Sequence, residues 1–290
     1  MYLGTSNSWI YQSADDGRTW SRLAQLGTVD DLVIDNLLVD ESDPQTLYAG
    51  VWRMDRPDGG VYISHDGGQT WASSLGIQGQ SVRALAQSSS NPKILVAGSI
   101  GGVFRSKDGG IHWKQISPRG SGEIIKVESI AIDPTDPSVI YAGTWHLPWK
   151  TTDGGASWHN IKDGLIVDSD VFSMILDPKT PSTVYLSACS GIYKSENGGD
   201  LFRKVQGIPS TARRTRVLMQ DPENREVVYA GTTEGLYKTR DGGVNWARMT
   251  TPNLIINDIY VDPSNPRHVL LATDRSGVLA SNDAGANFVA

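Results

Sequence analysis

The sequence lacks several features that would place it in well-known classes of protein. It has a single cysteine, Cys189, so no disulfide can form within the chain and folding does not depend on an oxidising compartment. No run of eighteen apolar residues occurs, which argues against insertion into a membrane. Phe is scarce at 4 residues, but 9 Trp and 10 Tyr supply enough large side chains for a sizeable core.

Positive charge is also in short supply. The chain has 26 Lys and Arg against 32 Asp and Glu, a net charge of −6. A general nucleic-acid or membrane-surface binder needs a basic face, so we expect neither as a partner. Met1 is followed at once by strand-like sequence, and no signal peptide is visible. The residues themselves leave the cellular location open.

What the sequence does contain is a repeat. The pattern Ser/Thr-x-Asp-x-Gly-x-x-Trp/Phe recurs seven times, from SADDGRTW at Ser13 to SNDAGANF at Ser281. Successive repeats are 51, 42, 45, 44, 44 and 42 residues apart, a period typical of propeller blades. The acidic or amide position of the motif falls at Asp15, Asp66, Asp108, Asp153, Asn197, Asp241 and Asp283.

Four short β-rich stretches accompany each motif. In the fourth unit, VESIAID and VIYAGTW predict the first two strands, and PWKT and SWHNI the last two. Val, Ile, Tyr and Thr dominate these stretches, as strands require, and clean helical periodicity is absent. We predict an all-β fold, a seven-bladed β-propeller forming a single domain over residues 1–290. The predicted blades cover about 1–26, 27–76, 77–118, 119–164, 165–207, 208–250 and 251–290.

The chemistry of the motif predicts a structural role. The Asp is expected to accept backbone N–H bonds in the turn between the third and fourth strands. The glycines would supply positive φ angles, and the Trp or Phe would fill the wedge between neighbouring blades. The turns lack the ligand count and the closing Glu of a calcium loop. We therefore expect no metal and no cofactor.

These motifs resemble the bacterial neuraminidase repeat, or Asp-box, found in sialidases, xyloglucanases, sortilin-type receptors and photosystem II stability/assembly factors. The combination DP-x-x-P, YAGT and G-[VL]-Y-K-[ST]-x-DGG-x-x-W is most similar to the assembly factors and their bacterial relatives. The resemblance covers essentially the whole chain and implies a propeller. It also implies an extracytoplasmic location if a signal peptide precedes the sequence. It does not choose an activity, because very different proteins share the repeat.

The register of the repeat predicts an incomplete first blade. The opening residues MYLGT align with the second strand IYAGT that begins at Ile140. We therefore predict that the first blade lacks its innermost strand and has an unpaired edge. The last residues, 288–290, align with a fourth strand. The natural chain is accordingly expected to extend further at one end, or the sequence to be a fragment.

Function is expected at the loops opposite the Asp-box turns. At equivalent positions after the second strand, Trp52 and Trp145 break the repeat, and His146 follows the latter. The insertion WRMDRPDGG lengthens one of these loops and adds Arg53 and Arg56. Exposed indole rings stack on sugars or on apolar groups of a partner. The alternative is that both tryptophans pack against neighbouring loops.

A second set of candidates lies near the start of the inner strands. The six equivalent positions there hold five different residue types, which is the variety that a binding surface on a repetitive scaffold would show. The basic run TARRTR lies beside them, and Arg is suited to bidentate recognition of carboxylate or phosphate. In the assembly-factor family that the repeats resemble, an arginine patch on the propeller is implicated in partner contact, and this run looks like a counterpart. The alternative is a solvated, salt-bridged loop. These residues are Asp35, Arg83, Glu128, Phe172, Arg216 and Asn257, with Arg213 and Arg214 from the basic run.

Catalysis is the competing hypothesis, and glycoside hydrolysis is the reaction class to consider. The Arg-Ile-Pro motif of sialidases is absent, and Asp-box xyloglucanases clasp their glycan between two propellers with one catalytic carboxylate from each. No serine-nucleophile elbow, Walker loop, dinucleotide fingerprint or zinc-spaced cluster occurs. A carboxylate pair could still come from Asp30, Asp31, Asp35, Glu128, Asp168, Asp170, Asp258 and Asp274.

The sequence thus predicts a non-catalytic propeller that binds a protein or a glycan, possesses no catalytic residue and acts as a monomer. The alternative is a carbohydrate-active propeller, either a glycoside hydrolase or a glycan-binding protein. A purely structural domain within a longer chain is the third hypothesis.

Overall fold

The fold was obtained as a computed structural model that describes residues 1–27, 31–120, 122–166, 170–212 and 214–290. Over these residues there are strands and turns but no helix. The strands form seven antiparallel sheets, each a meander of strands consecutive in the chain. The predicted all-β, seven-bladed β-propeller is therefore confirmed. The chain separates into two compact units, Met1–Asn160 and Ile161–Ala290, and its organisation as a single domain stays a prediction.

The first unit contains four blades. Blade 1 consists of β1 (Tyr2–Gly4), β2 (Trp9–Gln12) and β3 (Ser21–Gln25). Blade 2 consists of β4 (Leu32–Val39), β5 (Leu47–Arg53), β6 (Gly59–Ser64) and β7 (Ala72–Ser73). Blade 3 consists of β8 (Val82–Gln87), β9 (Leu95–Ser99), β10 (Gly102–Ser106) and β11 (Trp113–Gln115). Blade 4 consists of β12 (Val127–Ile132), β13 (Ile140–Thr144), β14 (Pro148–Thr151) and β15 (His159–Asn160).

The second unit contains three blades. Blade 5 consists of β16 (Val171–Leu176), β17 (Val184–Ala188), β18 (Gly191–Ser195) and β19 (Arg203–Lys204). Blade 6 consists of β20 (Val217–Gln220), β21 (Val228–Thr232), β22 (Gly235–Thr239) and β23 (Trp246–Arg248). Blade 7 consists of β24 (Ile256–Val261), β25 (Val269–Thr273) and β26 (Val278–Ser281).

The core lies between successive sheets and depends on small residues in the second strands. Every residue of β9, β13, β17 and β21 is buried. A Cβ atom added to Gly98 of β9 would lie 2.6 Å from Val127 of the next blade and 3.2 Å from Ala84 of its own. Only glycine permits this approach of two sheets, which explains the Ala-Gly pair that recurs in these strands.

Each Asp-box closes on itself through a short set of hydrogen bonds. In blade 2, the Ser64 hydroxyl donates to Asp66 Oδ1 at 2.7 Å and accepts the Gly68 N–H at 2.9 Å. The Thr70 backbone N–H donates to Asp66 Oδ1 at 2.9 Å, and its hydroxyl to Oδ2 at 2.5 Å. Gly67 and Gly68 have φ angles of 70° and 88°. The predicted turn chemistry is therefore present.

The fifth box differs from the others in two linked ways. Asn197 replaces the aspartate, and Leu201 stands where the other six boxes have Thr, His, Ser or Asn. In those six, the side chain at this position donates to Oδ2 of the aspartate. An amide presents an NH₂ group in place of the second oxygen, so a side-chain donor has nothing to bond. Leu201 retains only the backbone bond to Asn197 Oδ1, at 3.0 Å.

The aromatic residue of the box packs against the preceding blade, as predicted. Trp113 is 6% exposed and belongs to a core cluster with Tyr48 of blade 2. Its indole N–H donates to the Gly110 carbonyl at 2.9 Å. The indole N–H of Trp158 in blade 4 donates to the Ile116 carbonyl, which follows β11, at 3.1 Å. Trp149 is partly buried and packs against the cluster between blades 3 and 4.

The first and last blades have three strands each. Blade 1 lacks the innermost strand, as the register of the repeat predicted. In blade 7 the predicted fourth strand is reduced to one bridge, in which Val289 and Ala280 exchange two backbone bonds of 2.8 and 2.9 Å.

Candidate functional site

The two ends of each blade differ in what they hold. Because the strands form a meander, the connection between the first two strands lies beside the Asp-box. The Gly109 N–H of one box donates to the Lys93 carbonyl of that connection at 2.9 Å, and Gly154 bonds Ser138 in the same way. At the other end of blade 4, the Trp145 N–H donates to the Lys126 carbonyl at 3.1 Å. The Asp-boxes and the tryptophan-bearing connections thus occupy opposite ends of the blades.

The variable positions of the inner strands prove to be β-bulges. The pairing of the first and second strands skips one residue in five blades. A bulge re-aims a side chain out of the regular ladder, so these positions are free to vary while the apolar residues around them hold the core. Arg216, the equivalent residue of blade 6, immediately precedes β20. The skipped residues are Asp35, Arg83, Glu128, Phe172 and Asn257.

Four of the predicted residues meet in the first unit. The guanidinium carbon of Arg83 lies 3.5 Å from the centroid of the Trp52 ring, and Arg83 Nη1 lies 4.0 Å from Glu128 Oε1. Glu128 Oε1 also accepts the indole N–H of Trp145 at 2.6 Å. The Lys126 Nζ lies 4.8 Å from the centroid of the Trp145 ring. We call Trp52, Arg83, Glu128, Trp145 and Lys126 the bulge cluster; it joins blades 2, 3 and 4.

The bulge cluster is partly desolvated and carries unsatisfied donors. The side chains of Arg83 and Glu128 are only 18% and 19% exposed. Arg83 Nε and Trp52 Nε1 are buried and have no hydrogen-bond partner among the described residues. A cation–π contact away from solvent is worth about 2 kcal/mol, which holds the Arg83 guanidinium in place over Trp52. Trp145, by contrast, is 42% exposed and presents an indole surface to solvent.

The structure corrects the prediction for Trp52 and its loop. Trp52 and Arg53 lie in β5, and Trp52 pairs with Gly59 of β6, so the insertion extends a hairpin. Only residues 54–58 form the turn. Trp52 is half-buried beneath Arg83 rather than exposed. The sequence could not show this because the pairing of β5 with β6, and not the length of the insertion, decides where the strand ends.

The other predicted residues of this unit lie around the bulge cluster. Arg53 forms ion pairs with Asp31 and with Asp55, the latter at 3.1 Å. Arg56 is exposed and pairs with Asp55 and Asp58 at 3.6 and 3.4 Å. Exposed pairs of this kind contribute little to stability. His146 is exposed in the hairpin turn next to Trp145, where its backbone N–H bonds Thr144 Oγ1 at 2.9 Å.

Sequence reasoning missed Lys126, although the structure brings it to Trp145. Lys126 has a φ of 53°, in the left-handed region that non-glycine residues rarely adopt. Its N–H bonds the Ile100 carbonyl at 3.0 Å and its carbonyl accepts from Trp145. The residue is the last before β12 and directly precedes the bulged strand. No sequence signal marks this backbone conformation, because the two bonds that hold it come from Ile100 and Trp145, which are distant from Lys126 along the chain.

The predicted residues of the second unit form a smaller group. Arg216 Nη1 donates to Asn257 Oδ1, which joins the inner ends of blades 6 and 7. Arg214 is exposed, with a φ of 61°, and Phe172 is half-buried. Arg213 lies outside the described residues. Among the described residues of the basic run, Arg216 is the one whose side chain bonds another predicted residue, Asn257.

The candidate carboxylates have different surroundings. Asp30 and Asp168 lie outside the described residues, and Asp31 is occupied by Arg53. Asp258 is exposed as a residue. The protein packed around its carboxyl group reduces the hydration of that group and raises its pKa above the ordinary value. Over the described ranges, no group of three or more His, Cys, Asp or Glu side chains could hold a metal ion. The same residues include no helix with the length and apolar character that crossing a membrane requires.

Comparison with known proteins identifies the repeat and the fold. The BNR/Asp-box repeat family matches residues 62–73, and no curated protein matches the sequence. Among solved structures, a GH74 xyloglucanase from Xanthomonas campestris is 21% identical with a TM-score of 0.79, over 98% of this chain and 50% of its own. This chain spans between 37% and 50% of the length of the GH74 enzymes that it matches.

Two structures of YCF48 are also similar, and this chain covers most of their length. YCF48 bound to D1 peptide is 16% identical with a TM-score of 0.68, over 97% of this chain and 88% of its own. YCF48 from Cyanidioschyzon merolae is 18% identical with a TM-score of 0.63, over 92% and 87%. At these identities the likeness shows the fold alone. The chain is thus an Asp-box β-propeller whose structural neighbours include both glycoside hydrolases and YCF48.

Proposed function

We propose that this chain is a non-catalytic binding propeller that recognises a polypeptide partner through the bulge cluster. The observation that carries the proposal is the contact network Trp52–Arg83–Glu128–Trp145 across three blades. It combines an exposed indole, a stacked guanidinium and two unsatisfied buried donors. Trp and Arg are the residues that most often dominate protein–protein binding energy.

The chemistry of the bulge cluster favours binding over hydrolysis. Glycoside hydrolases use two carboxyl groups about 5–9.5 Å apart, whereas the bulge cluster has one carboxylate, Glu128. That carboxylate already accepts the Trp145 N–H at 2.6 Å and faces Arg83. These contacts orient the indole and the guanidinium, and neither supplies the second carboxyl group that hydrolysis requires. The neighbour named YCF48 bound to D1 peptide supports a polypeptide as the ligand class.

The proposal is tested by screening the purified protein against a peptide array and measuring the affinity of the best peptides by isothermal titration calorimetry. Trp145→Ala and Arg83→Ala should each weaken binding at least about tenfold, since hot-spot side chains contribute about 2 kcal/mol or more. Ile111→Ala is the matched control, because Ile111 is 46% exposed and lies in the Asp-box of blade 3. Equal affinity for all three variants would exclude the bulge cluster as the site.

A glycan is the second candidate ligand, and one observation favours it. Trp145 is 42% exposed, and an exposed indole is a stacking surface for a sugar ring; the GH74 neighbours make the class reasonable. A glycan array with Trp145→Ala as control separates this hypothesis from the first. Retention of an oligosaccharide by the unmodified chain and its loss in the variant would establish the glycan. Hydrolysis of that oligosaccharide, abolished by Asp258→Asn, would replace binding with catalysis.

A further inference from the structure

The fifth Asp-box contains the pair Asn197-Gly198, and Asn-Gly occurs at no other place in the sequence. The backbone nitrogen of such a glycine can attack the side-chain carbonyl carbon of the asparagine, because glycine has no Cβ to hinder the approach. The bond from this nitrogen to Cγ forms while the bond from Cγ to Nδ2 breaks, and ammonia leaves with the hydrogen of the glycine N–H. Water then opens the succinimide ring at either carbonyl and gives aspartate or isoaspartate.

The structure leaves the asparagine side chain open to this reaction. Asn197 is exposed, so water can reach its amide group, whereas Gly198 is buried. Asn197 Oδ1 accepts the Ser195 hydroxyl at 2.8 Å and the Leu201 backbone N–H at 3.0 Å. Two donors on a carbonyl oxygen stabilise the negative charge that develops there during attack on its carbon. The reaction therefore depends on the nitrogen of Gly198.

That nitrogen is withheld by a bond to another part of blade 5. The Gly198 N–H donates to the Ser182 carbonyl at 2.7 Å, and Ser182 lies in the connection 177–183 between β16 and β17. The nitrogen must lose this hydrogen to act as a nucleophile, and a hydrogen bond to a carbonyl stabilises the form that keeps it. Attack on Asn197 therefore requires the bond to open.

The other boxes show that this bond belongs to the repeat. In boxes 2, 3, 4, 6 and 7 the residue after the aspartate donates its N–H to the equivalent connection at 2.8 to 2.9 Å. Those boxes carry a carboxylate, whose negative charge resists attack by a nucleophile, whereas box 5 has an amide under the same restraint. We infer that Asn197 is a deamidation site, which the folded box protects and which opening of the connection 177–183 exposes. The donors in the other boxes are Gly67, Gly109, Gly154, Gly242 and Ala284.

Deamidation would not repair the fifth box. An aspartate at position 197 gains a second carboxylate oxygen, but Leu201 has no side-chain donor for it. Isoaspartate lengthens the backbone by one methylene group, so the spacing from Ser195 to Leu201 no longer matches the turn. A transient opening of blade 5 is thereby converted into a permanent covalent change that weakens the turn.

The test measures deamidation of the full chain at mildly alkaline pH, by mass spectrometry of the tryptic peptide 195–203, SENGGDLFR. A synthetic peptide of this sequence and the guanidinium-unfolded chain are the references. Both should deamidate at similar rates, and the folded chain at least about tenfold more slowly. Isoaspartate, detected with an isoaspartyl methyltransferase, should be among the products. Equal rates in the folded chain and the peptide, or no deamidation of the peptide and the unfolded chain, would overturn the inference.

Two arginine variants test whether the connection 177–183 is the restraint. Arg225 Nη1 donates to Asp177 Oδ1 at 3.3 Å and to Thr180 Oγ1 at 3.0 Å. Arg225→Ala should loosen the connection and speed deamidation of the folded chain about threefold. The matched control is Arg105→Ala, because Arg105 Nη1 bonds the Gly154 carbonyl at 3.2 Å in the first unit, and it should leave the rate unchanged.

Equal acceleration by the two variants would mean that global unfolding exposes the asparagine, and it would overturn the inference, as would an unchanged rate in Arg225→Ala. None of these measurements involves the bulge cluster, so the inference does not depend on the proposed function.

Discussion

The two ends of the blades differ in how their polar residues are bonded and in how much their sequence varies. At the Asp-box end, an eight-residue turn satisfies its own polar atoms, and six of seven turns use the same bonds. At the end opposite the Asp-boxes, the bulged residue varies among the blades, and the contacts of Arg83 run from blade 3 to blades 2 and 4. A repeat can therefore keep its stability in one set of positions and place its specificity in another, because the two sets share few interactions.

The largest expected effect is a difference in stability between two tryptophan variants, one at the Asp-box end and one at the opposite end of the blades. Trp113→Ala should lower the free energy of unfolding by about 3–5 kcal/mol, since it opens a cavity in the core between blades 2 and 3. Trp145→Ala should cost only about 1 kcal/mol, because Trp145 is 42% exposed and loses one hydrogen bond. Urea unfolding followed by circular dichroism measures both. Similar losses for the two variants would contradict the division between the ends.

Two glycines, one at each end of the blades, allow the same comparison to be made for the backbone. Gly110 in an Asp-box and Gly79 at the start of blade 3 have φ angles of 83° and 75°. Alanine at either position should cost about 1 kcal/mol for the left-handed conformation. Gly110→Ala should cost about 1–3 kcal/mol more, because its Cβ would lie 2.8 Å from Tyr48, whereas at Gly79 nothing lies within 4 Å. Thermal unfolding of both variants provides the measurement, and equal shifts would show that Tyr48 moves aside.

Acid should act on the two ends in opposite directions. Hydrogen bonds from the seventh residue of the box lower the pKa of Asp15, Asp66, Asp108, Asp241 and Asp283 to about 2. A lowered native pKa stabilises the fold above the ordinary value near 3.8, and this contribution is lost as pH falls through about 2. The raised pKa of Asp258 has the opposite sign and favours the fold as that carboxyl becomes protonated.

The measurement is the thermal midpoint between pH 5 and pH 2. We expect a continuous fall below about pH 4 in the unmodified chain. The control is Asp258→Asn, which removes the opposing contribution and should make the fall steeper. A midpoint that does not change down to pH 2 would mean that the box aspartates titrate alike in the folded and unfolded chains.

The smallest expected effect lies within the Asp-box end. Asn197→Asp with Leu201→Thr rebuilds the bond pattern of blade 2, where the Thr70 hydroxyl donates to Asp66 Oδ2. The double variant should be more stable than the sum of its single variants by about 0.5 kcal/mol, since each change alone leaves one partner missing. A double-mutant cycle by urea unfolding measures the coupling. A coupling of zero would mean that water hydrogen-bonds the second carboxylate oxygen as favourably as the Thr hydroxyl does.

Much of the fold could be predicted from the sequence because its bonds are local. One turn contains Ser64, Asp66, Gly68 and Thr70, so the spacing of these residues alone implies the turn. The seven occurrences of the motif, at a period typical of propeller blades, imply seven blades. The missing strand of blade 1 followed from alignment of the repeats. The paired change at Asn197 and Leu201 was also legible in the sequence, but its reason is clear only from the geometry of the two carboxylate oxygens.

The candidate site was predicted as a set of positions and not as an arrangement. The variety at Arg83, Glu128 and Asn257 was visible, yet its cause, a bulge in each inner strand, depends on how two strands pair. Trp52 was placed after the second strand by alignment of the repeats, whereas pairing with β6 continues that strand through Trp52 and Arg53. Lys126 had no signal at all.

The sequence by itself determined the turn chemistry, the strand pattern and the number of blades, because these depend on residues that are close together along the chain. Only the tertiary structure decided that Arg83 stacks on Trp52 and that Trp145 bonds Glu128. Those contacts join different blades or different strands, and their distances depend on the register of each sheet and the packing of one sheet on the next, which no local rule specifies.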